Sequence, residues 1–312
     1  MKIAFIVDPL DSFKIHKDTT FAIMREAAAR GHTLYVMQQE DLRWRGGVVS
    51  GNACSLQLTG DQAQWYRLGD AVETPLQNFG AVLMRKDPPF DMEYVYSTYL
   101  LELAEAQGAR VFNRPRAIRD HNEKMAIARF PRFTAPSLVT RQEKPIRDFL
   151  AEHRDIILKP LDGMGGASVF RVHEEDHNVN VIIEMLTHYG RRTIMAQRFI
   201  PEIRDGDKRV LLIGGKPVPY SLARIPKQGE TRGNLAAGGT GVARELTPRD
   251  REIAAALGPE LHAQGLLLVG LDVIGDYLTE VNVTSPTCFQ EITEQTGFNV
   301  AGMMLDALEK SA

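Results

Sequence analysis

Asp272, Glu280 and Asn282 are oxygen donors with the spacing of a cation site. Asp272 lies in an apolar run at 266–274, and Glu280 and Asn282 lie in a second run at 277–283. Gly275-Asp276 between the runs reads as a hairpin turn. Glu280 and Asn282 are two residues apart, so they share one face of their strand, and the hairpin sets Asp272 opposite them. Two carboxylates and an amide suit Mg²⁺, a hard cation that keeps waters and bridges to phosphates. Buried carboxylates with no cation between them would repel. A second chemical stretch occupies 156–170, where an apolar run ends in Lys159-Pro160 and Gly163, Gly165 and Gly166 follow. It reads as strand, bare turn, strand. Such a tip is either a plain turn or a place where backbone N–H groups close on an anion, with Lys159 adding positive charge.

Further polar residues stand at element ends. The strand expected at 193–200 is stopped by Pro201, and such a linker offers backbone N–H and C=O groups to an adenine edge. Residues 207–213 and 218–225 form a hairpin about Gly214-Gly215-Lys216-Pro217, with Arg209 on one arm and Arg224 on the other. Residues 226–241 hold five glycines, no aromatic residue and one leucine. That segment buries too little to offset its ordering entropy, so it reads as a lid whose Arg232 arrives on closure. Arg85 follows a buried strand at 81–84 and precedes a stiff Pro88-Pro89 turn, as a ligand contact or a solvated loop charge. Lys124 by itself reads as surface charge or a second phosphate contact. His173-Glu174-Glu175-Asp176-His177 matches the H-E-x-x-H zinc signature in letters only. The signature needs a helix, and His173 continues a strand, so an acidic surface turn is expected.

The elements that must carry these residues come from a chain of 312 residues, enough for two or three domains. Net charge is −3, which supplies no basic field for nucleic acid. Two cysteines, Cys54 and Cys288, make no disulfide framework, and a reducing cytoplasm is expected. The first apolar run stops at Asp8-Pro9, and no later run reaches the length of a membrane span. Strands at 3–7 and 33–37 flank a helix at 21–30 capped by Asp18 or Thr19, a β-α-β opening of the Rossmann type. It lacks G-x-G-x-x-G, which counts against a nicotinamide-dependent oxidoreductase. Short strands are expected at 48–50 and 54–58, packing roles for Trp44, Trp65 and Cys54, a helix at 94–107 and a turn at Arg114-Pro115. Further helices are expected at 146–153, 248–264 and 300–310.

Taken together, these pieces resemble the ATP-grasp fold, and within it the prokaryotic glutathione synthetase family. The resemblance is carried by KDTTFA (17–22), LMRKDPPFD (83–91), ILKPLDGMGGASVFRV (157–172), DGDKRVLL (205–212), ARIPKQGETRGNLAAGGTG (223–241) and VGLDVIGDYLTEVNVTSPTC (269–288). It implies an α/β chain with a Rossmann-like pre-ATP-grasp domain at 1–121. A two-subdomain ATP-grasp fold would follow, central at 122–200 and C-terminal at 201–312. It also implies ligation of γ-glutamylcysteine and glycine to glutathione through an acyl phosphate, with release of ADP and phosphate. By resemblance, Lys124 and Lys159 hold ATP phosphates under the loop Gly163, Met164, Gly165 and Gly166. Gln197, Arg198, Phe199 and Ile200 meet adenine, and Asp207 lies by the ribose or phosphates. Asp272, Glu280 and Asn282 bind two Mg²⁺ ions, which Mn²⁺ can replace. Arg209, Arg224 and Arg232 stabilise the transferring charge. Arg85, Arg209, Asn282, Ser285 and Thr287 meet the peptide substrate. A cytoplasmic homotetramer is implied, without nucleic acid or membrane. The chain departs from the family at 126–135, and at Gln290, where arginine is common. Another ATP-grasp carboxylate–amine ligase and a non-catalytic ATP-binding regulator are the rival expectations.

Overall fold

The computed structural model describes residues 1–230, 232–233, 235 and 238–311. Its first sheet holds β1 (Lys2–Ile6), β2 (Thr33–Met37), β3 (Leu42–Arg45), β4 (Val48–Leu58), β5 (Tyr66–Pro75), β6 (Ala81–Met84) and β7 (Val111–Phe112). Strand order is β3-β4-β2-β1-β6-β7, with β5 on β4. β1 pairs parallel with β2 and β6, and β6 pairs parallel with β7. The apolar run that predicts β1 is the reason it lies at the centre, where both faces are covered. Helices α1 (Thr19–Ala29), α2 (Met92–Ala106) and α3 (Pro115–Asp120) complete this unit. The Asp18 carboxylate accepts from Phe21 N at 2.7 Å and starts α1.

The second sheet is antiparallel in the order β10-β9-β11-β8. It is built from β8 (Ser137–Thr140), β9 (Asp155–Pro160), β10 (Phe170–His173) and β11 (Ile194–Arg198), with α4 (Glu143–His153) and α5 (Val179–Thr187). The third sheet has the order β14-β13-β12-β15-β16. It comprises β12 (Asp207–Ile213), β13 (Lys216–Ile225), β14 (Thr240–Glu245), β15 (Leu268–Ile274) and β16 (Tyr277–Asn282), with α6 (Pro248–Ala263), α7 (Phe289–Thr296) and α8 (Val300–Ser311). The first sheet does not have a core to itself. One apolar cluster joins Ala4, Ile6 and Val82 to Val210, Leu257 and Val269, and another joins Phe5 and Ile23 to Leu211, Phe289 and Leu305. The second sheet has its own core around Ile156, Leu158, Ile183 and Ile194.

Several expectations are corrected. The strands expected at 48–50 and 54–58 are one strand, β4, because Gly51-Asn52 stays extended in the ladder. Its partner β5 escapes a hydrophobic pattern because nearly all of it is exposed. Arg114-Pro115 opens α3 instead of ending in a turn, with proline at a first-turn position that needs no N–H donor. Trp65 packs between Phe13 and Phe21 at ring distances of 5.7 and 5.2 Å, whereas Trp44 is 57% exposed and has no packing role. The segment expected to be a lid, 226–241, overlaps β14 at its end, since Thr240 and Gly241 pair with Ile225 and Arg224. Thr231, Asn234, Ala236 and Ala237 of that segment lie outside the described residues.

Candidate active site

A cavity of about 310 Å³ lies between the second and third sheets, lined by residues of both. β9 and β10 form the antiparallel hairpin, with Phe170 opposite Leu158, and the glycine tip between them lines the cavity. Gly165 and Gly166 have φ of +63° and +79°, a conformation that side chains disfavour. Lys124 Nζ donates to Gly163 O at 2.7 Å, so the lysine reaches the loop across the cavity wall. Lys159, on β9, is buried with only long contacts: Nζ lies 3.4 Å from both Gln197 Oε1 and Thr279 O. Glu280 Oε1 is 3.9 Å away. Burial lowers the Lys159 pKa against the pull of Glu280, and the Lys124 charge adds to the lowering. An ammonium so poorly matched is suited to a phosphate.

The hairpin β15–β16 pairs Asp272 with Glu280 and Gly270 with Asn282, so the three oxygen donors come together as their spacing predicts. All three line the cavity. The expected repulsion between Asp272 and Glu280 is offset by cations beside each. Arg209 Nε donates to Asp272 Oδ1 at 2.5 Å, and Arg224 Nη2 lies 2.9 Å from Oδ2. Lys124 Nζ stands 3.6 Å from Glu280. Burial would raise the Asp272 pKa, but the two guanidinium charges outweigh it and hold the carboxyl below the usual carboxylate range. Asp207 shares Arg224, whose Nη2 donates to Oδ2 at 2.5 Å. Its Oδ1 is buried with no partner among the described residues. Burial pushes the Asp207 carboxyl up to about 7 against the pull of Arg224, with Asp272 and Glu280 adding to the push. An orphaned acceptor in a cavity wall awaits a donor from a ligand.

Gln197, Arg198, Phe199 and Ile200 line the cavity where β11 ends. Arg171 stacks over Phe199 at 3.6 Å, and Arg198 donates to Tyr277 Oη at 3.0 Å, which fixes this stretch. Met164, Ser285 and Thr287 also line the cavity. Arg232 reaches in from the glycine-rich segment after β13, with Nη1 3.5 Å from Gly166 O and Nη2 2.7 Å from a Glu230 carboxylate oxygen. Gly233 passes so close to β13 that a Cβ there would sit 2.3 Å from Arg224 O. Arg85 is not among the lining residues. Its guanidinium is buried behind the wall, donating from Nε to Thr20 Oγ1 at 3.1 Å and from Nη2 to Pro286 O at 2.9 Å. His173 ends β10 and His177 lies in a turn before α5, so the zinc motif has no helix. Among the described residues no group of three His, Cys, Asp or Glu is placed to hold a metal.

Glu123 and Cys288 line the cavity without having been singled out. The adjoining Lys124 was the available signal for Glu123. Gln290 is structural: its Nε2 donates to Ile15 O at 2.6 Å and Asp18 O at 2.7 Å, fastening the loop before α1 to α7.

Comparison with known proteins fits this geometry. Residues 1–119 match the family model for the prokaryotic glutathione synthetase N-terminal domain, and residues 123–297 match that for its ATP-grasp domain. The glutathione synthetase of Nitrosomonas europaea is 68% identical, covering 100% of this chain and 98% of its own. That of Ralstonia nicotianae is 67% identical, covering 100% and 96%. Among solved structures, D-cycloserine synthetase DcsG has a TM-score of 0.69 at 16% identity over 100% of both chains. The ATP-grasp ligase PsnB, complexed with minimal precursor, Mg and ADP, has a TM-score of 0.62 at 19% identity, covering 99% of this chain and 97% of its own. These two likenesses establish the fold, and the full-length sequence matches establish that the chain belongs to the prokaryotic glutathione synthetase family.

Proposed function

We infer that the chain joins γ-glutamylcysteine to glycine, using ATP and releasing glutathione, ADP and phosphate. The observation that carries this reading is one cavity in which a phosphate-ready lysine pair, a glycine-rich loop and an oxygen-donor hairpin converge. ATP transfers its γ-phosphoryl group to the cysteinyl carboxylate, and the glycine amine displaces phosphate from the resulting acyl phosphate. Such a transfer requires in-line positioning and charge neutralisation more than a nucleophilic side chain. Lys124 and Lys159 take the phosphates beneath residues 163–166, and residues 197–200 take the adenine edge. Asp207 Oδ1 accepts from the nucleotide. Arg209, Arg224 and Arg232 oppose the charge that builds on the transferring group. Asn282, Ser285 and Thr287 contact the peptide, while Arg85 supports that wall from behind through Pro286 O.

The donor set of Asp272, Glu280 and Asn282 is all oxygen, on adjacent strands, and fits a hard divalent cation. Asn282 Nδ2 donates to Gly270 O at 3.2 Å, which turns the amide oxygen away from that bond and supports its role as a cation ligand. Asp272, Glu280 and Asn282 would hold Mg²⁺, as two ions that Mn²⁺ could replace, and the bound metal would supply positive charge against the phosphates. The lid keeps water from the acyl phosphate, which hydrolysis would destroy. In this reading 1–121 serves the peptide through Asp87 and Pro88, which line the cavity, 122–200 serves the nucleotide, and 201–312 serves the metal, the lid and the rest of the peptide contacts. The enzyme works as a cytoplasmic tetramer, which light scattering on the purified protein would test.

ADP release is measured with Mg-ATP, γ-glutamylcysteine and glycine, omitting each in turn. The reading expects release that needs all three and equals the glutathione formed. Release with another carboxylate or amine in preference would favour a different ATP-grasp ligase. ATP binding without any turnover would favour a regulatory protein.

A further inference from the structure

Asn122, Glu123 and Lys124 are consecutive, and each reaches a different part of the site. Asn122 Nδ2 donates to Leu161 O at 3.0 Å, at the root of the glycine loop. Its Oδ1 accepts from Lys124 N and Met125 N at 3.2 and 3.0 Å, which holds the three residues in a tight turn. Lys124 Nζ donates to Gly163 O at 2.7 Å and lies 3.6 Å from Glu280 Oε1. Glu123 turns the other way. Its main-chain oxygen accepts from Val281 N at 2.8 Å, between Glu280 and Asn282. Its carboxylate Oε1 accepts from Thr284 Oγ1 at 3.2 Å, two residues beyond Asn282. β16 is the last strand of its sheet, so beyond its pairing with β15 residues 281–284 are held from outside the ladder, by Glu123 and by Asn113, whose Nδ2 donates to Val283 O at 2.8 Å.

We propose that Glu123 is a positioning residue that grips residues 281–284 and so sets the metal-ligating side chains of β16 in register with the lysine beside it. One turn then aligns the glycine loop, the phosphate lysine and the cation donors. Glu123 acts by accepting a hydrogen bond from the Thr284 hydroxyl, a role that an amide oxygen can also fill. This inference rests on the proposed cation site at Asp272, Glu280 and Asn282.

The test measures Mn²⁺ binding to the whole protein in the presence of ADP, by loss of the free-ion electron paramagnetic resonance signal. Thermal unfolding is followed in parallel. Glu123→Ala and Thr284→Val are each expected to weaken Mn²⁺ about tenfold, and the double variant to be no weaker than either, because both remove one contact. Glu123→Gln is expected to stay within about threefold of the parent protein, since its amide oxygen accepts the same hydrogen bond. Thr284→Val keeps the test decisive if Glu123→Ala does not fold. Unchanged binding in Thr284→Val, multiplying losses in the double variant, or a Glu123→Gln loss equal to that of alanine would overturn the proposal. Absence of Mn²⁺ binding in the parent protein would instead remove the cation site on which it rests.

Discussion

Asp272 is held by Arg209 and Arg224. The hairpin and its facing donors were legible because strand alternation and a Gly-Asp turn determine them locally. The arginine partners were not, because they depend on β12 lying between β13 and β15, a pairing that no local pattern encodes. Glu123 was missed for a similar reason: its neighbours Val281 and Thr284 are far away in sequence. It also gives a prediction about pH. Burial, reinforced by Glu280 and resisted by Lys124 and Arg209, pushes the Glu123 carboxyl up to about 7 from the ordinary 4.5. Between those values the unfolded chain ionises while the folded chain keeps its proton, so this residue's contribution to stability falls as pH rises from 4.5 to 7. In urea titrations without nucleotide or metal, the parent protein is expected to lose on the order of 1–2 kcal/mol relative to Glu123→Gln between pH 5 and pH 7. Parallel pH profiles for the two proteins would contradict this account of the residue.

At the scale of elements, the glycine-rich segment after β13 was legible from composition, and its Arg232, Gly233 and Leu235 line the cavity. Arg232 approaches Gly166 O, and Leu235 packs against the apolar cluster shared by the first and third sheets. Replacing residues 227–238 with a short Gly-Ser linker is expected to leave the fold intact, since β13 and β14 are joined by their own ladder. Water would then reach the acyl phosphate. The ratio of ADP released to glutathione formed should rise about tenfold from unity. An unchanged ratio would show that the segment has no part in coupling. Other elements were illegible for physical reasons. β5 is exposed along almost its whole length, so no apolar alternation marks it. The hairpin β9–β10 was read correctly because its apolar arms and bare tip differ sharply in composition.

At the scale of the molecule, the β-α-β opening and the order of the units were legible, but the sharing of cores was not. The first and third sheets meet through Asn113. Its Oδ1 accepts from Leu267 N and Leu268 N at 2.7 and 2.9 Å, and its Nδ2 donates to Leu268 O and Val283 O at 2.7 and 2.8 Å. A single asparagine at the end of a short strand gives no sequence signal for such a junction. Asn113→Ala strands buried backbone groups, so it is expected to cost on the order of 2–4 kcal/mol and lower the melting temperature by roughly 5–10 °C. A melting temperature equal to that of the parent protein would show that the junction is held by apolar packing alone. The whole assembly serves one reaction, and the fate of oxygen reports on it most directly. γ-Glutamylcysteine carrying ¹⁸O in its cysteinyl carboxylate is turned over with Mg-ATP and glycine, and the phosphate is analysed by mass. An acyl phosphate requires one labelled oxygen in each phosphate released, because the bridging oxygen leaves with phosphorus. Unlabelled phosphate, with glutathione still formed, would contradict the account.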